Sequence, residues 1–107
     1  MSLDVYLRAV RETEVYSRNI THNMSTMALE AGIYKHLWRP DEIGVEPAAQ
    51  LVEPLRGGLA LLRSDPDRFC KLNPVNGWGS YEGLIEFVES YLAACEQDPD
   101  AKVSVWR

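Results

Sequence analysis

Two short polar-aromatic stretches carry the side chains that are best suited to binding chemistry. The first is residues 19–23, where Asn19, Thr21, His22 and Asn23 bring together short polar groups that are mostly uncharged at neutral pH. A histidine can donate or accept a hydrogen bond. We expect this stretch where a strand gives way to a helix N-terminus, whose free N–H groups favour anions and carbonyl oxygens. The alternative is that these residues only cap the helix.

The second stretch, residues 76–81, places Trp78 between Gly77 and Gly79, with Asn76 before them and Tyr81 at the start of a helix. Glycines let the backbone bend tightly and approach a neighbour closely. An indole offers a flat apolar face and one N–H donor. Trp78 can therefore stack on a ligand, or it can pin the loop onto the core.

A third element is Trp38-Arg39, together with Tyr34 one helical turn earlier. A guanidinium binds carboxylate or phosphate in a bidentate manner, although Arg39 can equally pair with Asp41 or Glu42. We predict one pocket between the start of the first helix and the Trp78 loop. The polar contacts come from residues 19–23 and Asn76, and the aromatic walls come from Tyr34, Trp38, Trp78 and Tyr81.

Catalytic and metal motifs are absent from the sequence. His22 and His36 are the only histidines, and no cysteine pair has the spacing of a zinc finger. There is no Gly-x-Ser-x-Gly elbow and no phosphate-binding glycine loop. Cys70 and Cys95 are expected as reduced, packed thiols, with a single disulfide as the alternative. These observations favour a protein without metal or cofactor, and a non-enzymatic role over an enzyme.

The composition of the chain limits the classes of partner that we expect. The 107 residues carry 16 acidic and 11 basic side chains, a net charge of −5. Nucleic-acid binders usually concentrate basic residues, so we expect no nucleic-acid partner. No apolar run is long enough for a signal peptide or a membrane span. We therefore expect a cytoplasmic protein with one domain over residues 1–107.

Hydropathy patterns then predict the elements that position these side chains. Apolar residues alternate around Leu3 and Leu7, which predicts a strand, and residues 15–20 return as a second strand after a polar break at residues 11–14. Residues 103–106 alternate again and predict a final strand. Three helical segments lie between, so the predicted class is α+β. A small sheet of about three strands, an N-terminal hairpin plus a C-terminal strand, carries about three helices on one face.

The helices differ in how clearly the sequence marks them. We predict one helix over residues 21–38, which Pro40 ends. A second begins at Pro47 and follows a leucine stripe, with a kink at Pro54. The third follows an N-cap at Ser80, and its apolar face is the best defined in the chain, comprising Leu84, Phe87, Val88, Tyr91 and Cys95.

Several blocks of the sequence resemble a group of small bacterial proteins that are also carried by phages and prophages. The blocks read N-I-T-H-N from Asn19, A-G-I-Y-x-x-L-W-R-P from Ala31, and N-G-W-G-x-Y-E from Asn76. The resemblance spans nearly the whole chain. It transfers no catalytic residue, and it implies a complete one-domain protein that acts inside a bacterial cell.

Two functions follow as hypotheses. The first is a binding module whose polar-aromatic pocket holds a small polar or nucleotide-like ligand. The second is a protein-interaction or self-assembling protein of phage or prophage origin, in which Trp106 packs across an exposed sheet edge of a homodimer. The first hypothesis makes a geometric demand, since His22 and Trp78 must approach each other in the fold.

Overall fold

In the part of the chain that the structure describes, three antiparallel strands form one sheet, and the N-terminal strand lies in its centre. The structure, a computed structural model, describes residues 1–9 and 13–107. Strand β1 (Ser2–Arg8) pairs with β2 (Glu14–Thr21) on one side and with β3 (Lys102–Trp106) on the other, which gives the order β2-β1-β3. The predicted α+β class, with an N-terminal hairpin and a C-terminal strand, is confirmed. The polar break predicted at residues 11–14 falls partly outside the described residues.

The period of two in β1 determines which face of the sheet is covered. Leu3, Val5 and Leu7 are fully buried, whereas the alternate residues of β1 are half-buried. Val5 lies opposite Arg18 of β2 and Val105 of β3, so the register carries the alternation across the sheet. The core therefore lies on one face of the sheet, and the helices supply its other side.

Helices α3 (Ala49–Ser64) and α5 (Tyr81–Gln97) pack against each other in this core. The predicted leucine stripe of α3 and the apolar face of α5 are both buried. Pro54 lies inside α3 without ending it. Ser80 caps α5 as predicted, since its Oγ accepts a hydrogen bond of 3.0 Å from the N–H of Gly83.

The start of α3 was predicted two residues too early. Pro47 forms a bridge with Lys102 of β3 instead of opening the helix. The N–H of Ala48 donates to the carbonyl of Ala101 over 2.8 Å, and that of Val103 donates to the carbonyl of Glu46 over 2.9 Å. These bonds hold the chain against the end of the sheet until residue 48.

The single helix predicted over residues 21–38 is wrong. This part of the chain forms a 3₁₀ turn (His22–Met24), helix α1 (Ser25–Glu30) and helix α2 (Tyr34–Trp38). The break lies at Gly32, whose φ of 79° belongs to the left-handed region that ends helices. Most of the apolar residues at helical spacing remain buried, namely Met24, Met27, Ala28, Ala31 and Trp38, which is why the sequence pattern conceals the break.

Two short elements complete the fold. A second 3₁₀ turn (Pro40–Ile43) follows α2, and helix α4 (Pro66–Cys70) follows α3 and buries Phe69. Both cysteines are free thiols, and Cys95 is buried. Over residues 1–9 and 13–107, no helix is both long and apolar enough to cross a membrane.

Candidate functional site

Two of the predicted stretches meet at one open cleft. His22, Asn23 and Trp78 line it together with Asn19, Thr21, Ser2 and Met1, and its volume is about 560 Å³. We call it the Trp78 cleft. Residues separated by more than fifty positions in the chain therefore share one surface, as the binding hypothesis demands.

The polar side of the cleft is the end of β2 and the turn that follows. Thr21 is the last residue of β2, and its Oγ1 accepts a hydrogen bond of 3.3 Å from the N–H of Asn23. The N–H of His22 donates to the carbonyl of Met1 over 3.3 Å. The turn thus uses backbone donors that we expected to be free. This leaves the side chains, rather than a helix N-terminus, to face a ligand.

Asn23 ties this turn to the Trp78 loop. Its Nδ2 donates to the carbonyl oxygen of Trp78 over 3.2 Å and to Oδ1 of Asn76 over 3.4 Å. The same Oδ1 accepts from the N–H of Trp78 over 3.0 Å. Asn76 therefore shapes the loop from within, and the backbone of Trp78 is fixed while 71% of the residue remains exposed.

Gly79 permits the close approach of the loop to the turn. Its φ is 101°, and a Cβ at this position would lie 2.6 Å from Sδ of Met24 and 2.9 Å from Cγ2 of Thr21. Neither distance is sterically allowed, and Met24 is buried. Gly77 has a φ of 78° but has open space where a Cβ would be. The two glycines beside Trp78 thus have different functions: Gly77 makes the turn, and Gly79 makes the contact.

The imidazole of His22 is oriented by a buried indole. Nε1–H of Trp38 donates to Nδ1 of His22 over 2.7 Å. A ring that accepts a hydrogen bond at Nδ1 carries its proton on Nε2, so this bond selects that tautomer. His22 is half-buried and contributes to the cleft as a positioned ring.

Three of the four aromatic residues that were predicted to form the walls of the pocket lie outside the Trp78 cleft. Trp38 is 2% exposed and stands behind His22, because its indole belongs to the core. Tyr34 stacks on Trp38 with ring centroids 5.6 Å apart. Tyr81 is buried, and its hydroxyl donates to the carbonyl of Leu62 over 2.6 Å. Trp78 is therefore the one predicted aromatic that lines the cleft.

The predicted charge recognition by Arg39 is also not part of the cleft. Its Nε donates to the hydroxyl of Tyr34 over 3.3 Å, and its guanidinium pairs with Glu42 over 2.9 Å. This pairing is the alternative that the sequence predicts for Arg39. Among the described residues, no Asp, Glu, Lys or Arg side chain lines the Trp78 cleft. Among the described residues, no group of three or more His, Cys, Asp or Glu side chains could hold a metal ion.

A second depression of about 580 Å³ lies beside α1 and α2 and was not predicted. We call it the Leu29 groove. It is lined by apolar residues, by Tyr34, and by a few polar side chains, namely Lys35, His36 and Gln50. Leu29 and Ile43 are 65% and 40% exposed, although both are large and apolar. Leu29 lies outside the apolar stripe of its helix. This is the feature of the sequence that could have indicated the groove.

The two depressions are connected through Trp38. Its indole holds His22 of the Trp78 cleft, and its ring stacks on Tyr34 of the Leu29 groove.

Comparisons of the chain with protein-family models, with curated proteins and with solved structures find no match. The geometry of these two surfaces is therefore the basis for a function.

Proposed function

We propose that this protein is a non-enzymatic binding module that holds a small, planar, polar ligand in the Trp78 cleft. The observation that carries the proposal is the exposed indole of Trp78, which stands beside the fixed polar side chains of His22 and Asn23. Concave sites that combine an aromatic face with a few placed polar groups are typical of small-molecule binding.

Preorganisation supports the proposal. The backbone of Trp78 is fixed by Asn23 and Asn76, and the ring of His22 is fixed by Trp38. A site whose groups are already in place loses less conformational entropy when a ligand binds. Residues that only capped a turn would not need an indole with 71% exposure beside them.

The chemistry of the lining favours a neutral ligand. His22 offers Nε2–H as a donor, Asn19 offers an amide with both donors and an acceptor, and Trp78 offers a flat ring. Among the described residues, no lysine or arginine side chain lines the cleft, so a phosphate would find no side-chain cation of these types there. Within the nucleotide-like class, we propose recognition of the base or of a similar heterocycle.

The test uses nucleosides and their 5′-monophosphates as probes, with Trp78→Ala and a matched control. Trp106 is 69% exposed and lies on β3, outside the cleft, so Trp106→Ala removes an equally exposed indole. A ligand present at 100 times its Kd raises the free energy of unfolding by about 2.7 kcal/mol. Thermal unfolding and isothermal titration calorimetry report this gain.

We expect at least one nucleoside to stabilise the native protein and the Trp106→Ala variant, but not Trp78→Ala. The monophosphate is expected to bind no more tightly than its nucleoside. The proposal fails if no probe stabilises the protein, or if Trp78→Ala binds as tightly as the native chain.

A second candidate is self-association through the sheet, and the exposure of Trp106 favours it. This residue lies opposite Asp4 near the end of β3, and Val15 on β2 is also exposed, at 41%. Both β2 and β3 are edge strands, whose free backbone groups can pair with another chain. Light scattering on the native protein and on Trp106→Ala tests this. A monomer at all concentrations excludes it, and the Trp78→Ala variant should keep the native oligomeric state.

A further inference from the structure

The Leu29 groove combines an apolar floor with apolar side chains that solvent reaches. Leu29 from α1, Ile43 from the second 3₁₀ turn and Val45 after it line the groove, and Tyr34 adds an aromatic face. Leu29 is 65% exposed and Ile43 is 40% exposed. The groove owes its shape to the break between α1 and α2, because Gly32 at that break also lines it.

The polar groups of the groove offer donors. Gln50 has its Oε1 engaged, since it accepts a hydrogen bond of 3.0 Å from the N–H of Glu46. Its amide NH₂ therefore remains to donate. Lys35 is exposed, and it makes no ion pair with any residue that the structure describes.

Nearby carboxylates do not neutralise Lys35. Glu30 at the end of α1 pairs with Arg68, and Glu42 pairs with Arg39. His36, which also lines the groove, has an Nδ1 that is buried without a hydrogen-bond partner. Burial lowers the pKa of His36, so the ring is neutral at pH 7. Lys35 is thus the single charged side chain among the described residues that line the groove.

We propose that the Leu29 groove binds an amphiphilic carboxylate. The aliphatic body of the ligand lies along Leu29, Ile43 and Val45, and its carboxylate accepts hydrogen bonds from the Lys35 ammonium and the Gln50 amide. A volume of about 580 Å³ lies within the range of small-molecule sites. This site is separate from the Trp78 cleft and has the opposite preference, for an anionic and apolar ligand.

The net charge of the protein limits how such a ligand is recognised. At −5, the chain does not attract anions over a distance. The attraction must come from Lys35 at short range, and salt screens charges at an exposed site. Affinity for the carboxylate should therefore fall as the salt concentration rises, while affinity for a neutral molecule of the same length should not.

The experiment compares three probes: decanoate, decan-1-ol and acetate, each kept below the concentration at which it aggregates. Binding is followed by NMR chemical-shift changes in the uniformly ¹⁵N-labelled protein. We expect decanoate to bind and to shift the amides of Gly32, Gly44 and Val45. Decan-1-ol should bind about three- to tenfold more weakly, as the loss of one exposed charged hydrogen bond implies. Acetate should not bind measurably.

Two pairs of variants test the two halves of the site. Lys35→Met should lower the affinity for decanoate to that for decan-1-ol, whereas Lys71→Met, at an exposed lysine outside the groove, should change neither. Leu29→Glu should weaken decanoate about tenfold or more, because it removes apolar contact and adds a like charge. Val75→Glu adds the same charge at a fully exposed position and should have no effect.

Four results overturn the proposal: decanoate fails to bind, decan-1-ol binds as tightly as decanoate, Lys35→Met leaves the affinity for decanoate unchanged, or Leu29→Glu has no larger effect than Val75→Glu. The Leu29→Glu variant should fold normally, since the side chain is already mostly in water. Trp78→Ala should bind decanoate like the native chain, so the outcome is independent of the function proposed for the Trp78 cleft.

Discussion

The Trp78 cleft and the Leu29 groove are almost equal in volume, at about 560 and about 580 Å³, yet they differ in how they are built. Hydrogen bonds between two distant parts of the chain hold the cleft together, and its lining is polar around one indole. The groove is made by one stretch of the chain that folds back at Gly32, with Gln50 of α3 at its side, and its lining is mainly apolar. The two sites share one supporting residue, Trp38, which contacts a lining residue of each.

The difference shows what decides the chemistry of a surface in a small domain. The chain segment that contains α1 and α2 contributes to both sites, but opposite ends of it face different neighbours. Where this segment meets the Trp78 loop, hydrogen bonds fix the amide of Asn23 and the imidazole of His22 in position. Where it meets the 3₁₀ turn Pro40–Ile43, side chains off the helical stripe remain in solvent. Variants of the shared residue Trp38 and of residues that belong to one site test this division.

Trp38→Ala should have the largest effect and should damage both sites. Truncation of a large buried aromatic lowers the free energy of unfolding by about 3–5 kcal/mol. The variant also removes the donor to His22 and the stacking partner of Tyr34. Urea unfolding measures the loss of stability. Trp106→Ala is the control and should change stability by about 0.5 kcal/mol or less, since the side chain is exposed.

Gly79→Ala should come next and should act on the Trp78 cleft alone. An alanine here is strained by its positive φ and meets Met24 and Thr21, so we expect a loss of about 2–4 kcal/mol. Gly77→Ala carries only the strain of its positive φ, about 1–2 kcal/mol, because nothing lies near its Cβ. Equal losses in the two variants would contradict the close approach at Gly79. Decanoate binding, if the Leu29 groove provides it, should survive in a folded Gly79→Ala protein.

The sequence predicted the regular parts of this fold because their patterns are local. Alternation of apolar residues gave β1, and the apolar face together with Ser80 gave α5, since burial against one core determines both. The prediction from sequence failed at residues 21–38. There the helical spacing of apolar residues continues through Gly32, although the helical backbone is interrupted. A single glycine at φ 79° cannot be distinguished by sequence pattern from a glycine that a helix tolerates.

For the candidate sites, too, only the features that depend on local sequence patterns could be predicted. His22, Asn23 and Trp78 could be associated before the structure, because each lies where one predicted element gives way to another. Tyr81 and Trp38 were assigned to the same pocket although their rings are buried, since an aromatic residue at helical spacing does not reveal which way it faces. The Leu29 groove was missed because it depends on the helix break that was missed.

Trp38→Phe separates the two contacts of the shared residue. Phenylalanine keeps a ring against Tyr34 but has no N–H for His22, so stability should fall by only about 1–2 kcal/mol. In the native protein, ¹⁵N NMR of the imidazole should show the proton on Nε2. In the variant, both neutral tautomers should appear and nucleoside affinity should drop. An unchanged tautomer in Trp38→Phe would mean that another contact orients His22.

His36→Gln should have the smallest effect, and it acts on the groove side only. Burial lowers the pKa of His36 in the folded protein below its ordinary value of 6.5. Between these two values the unfolded chain binds a proton that the folded chain resists, so stability decreases as the pH falls through 6.5. Above 6.5 both states are neutral and His36 contributes no pH dependence, and below the folded pKa its contribution levels off.

Urea unfolding at a series of pH values from 8 to 5 measures this contribution. We expect the native protein to lose more stability over this range than His36→Gln, with the two curves parallel above about pH 7. Parallel curves down to pH 5 would mean that His36 is as free to take a proton in the folded chain as in the unfolded one. In that case the groove would carry a second cation at mildly acidic pH. The difference in charge between its lining and that of the Trp78 cleft, which Lys35 alone provides at neutral pH, would then be larger.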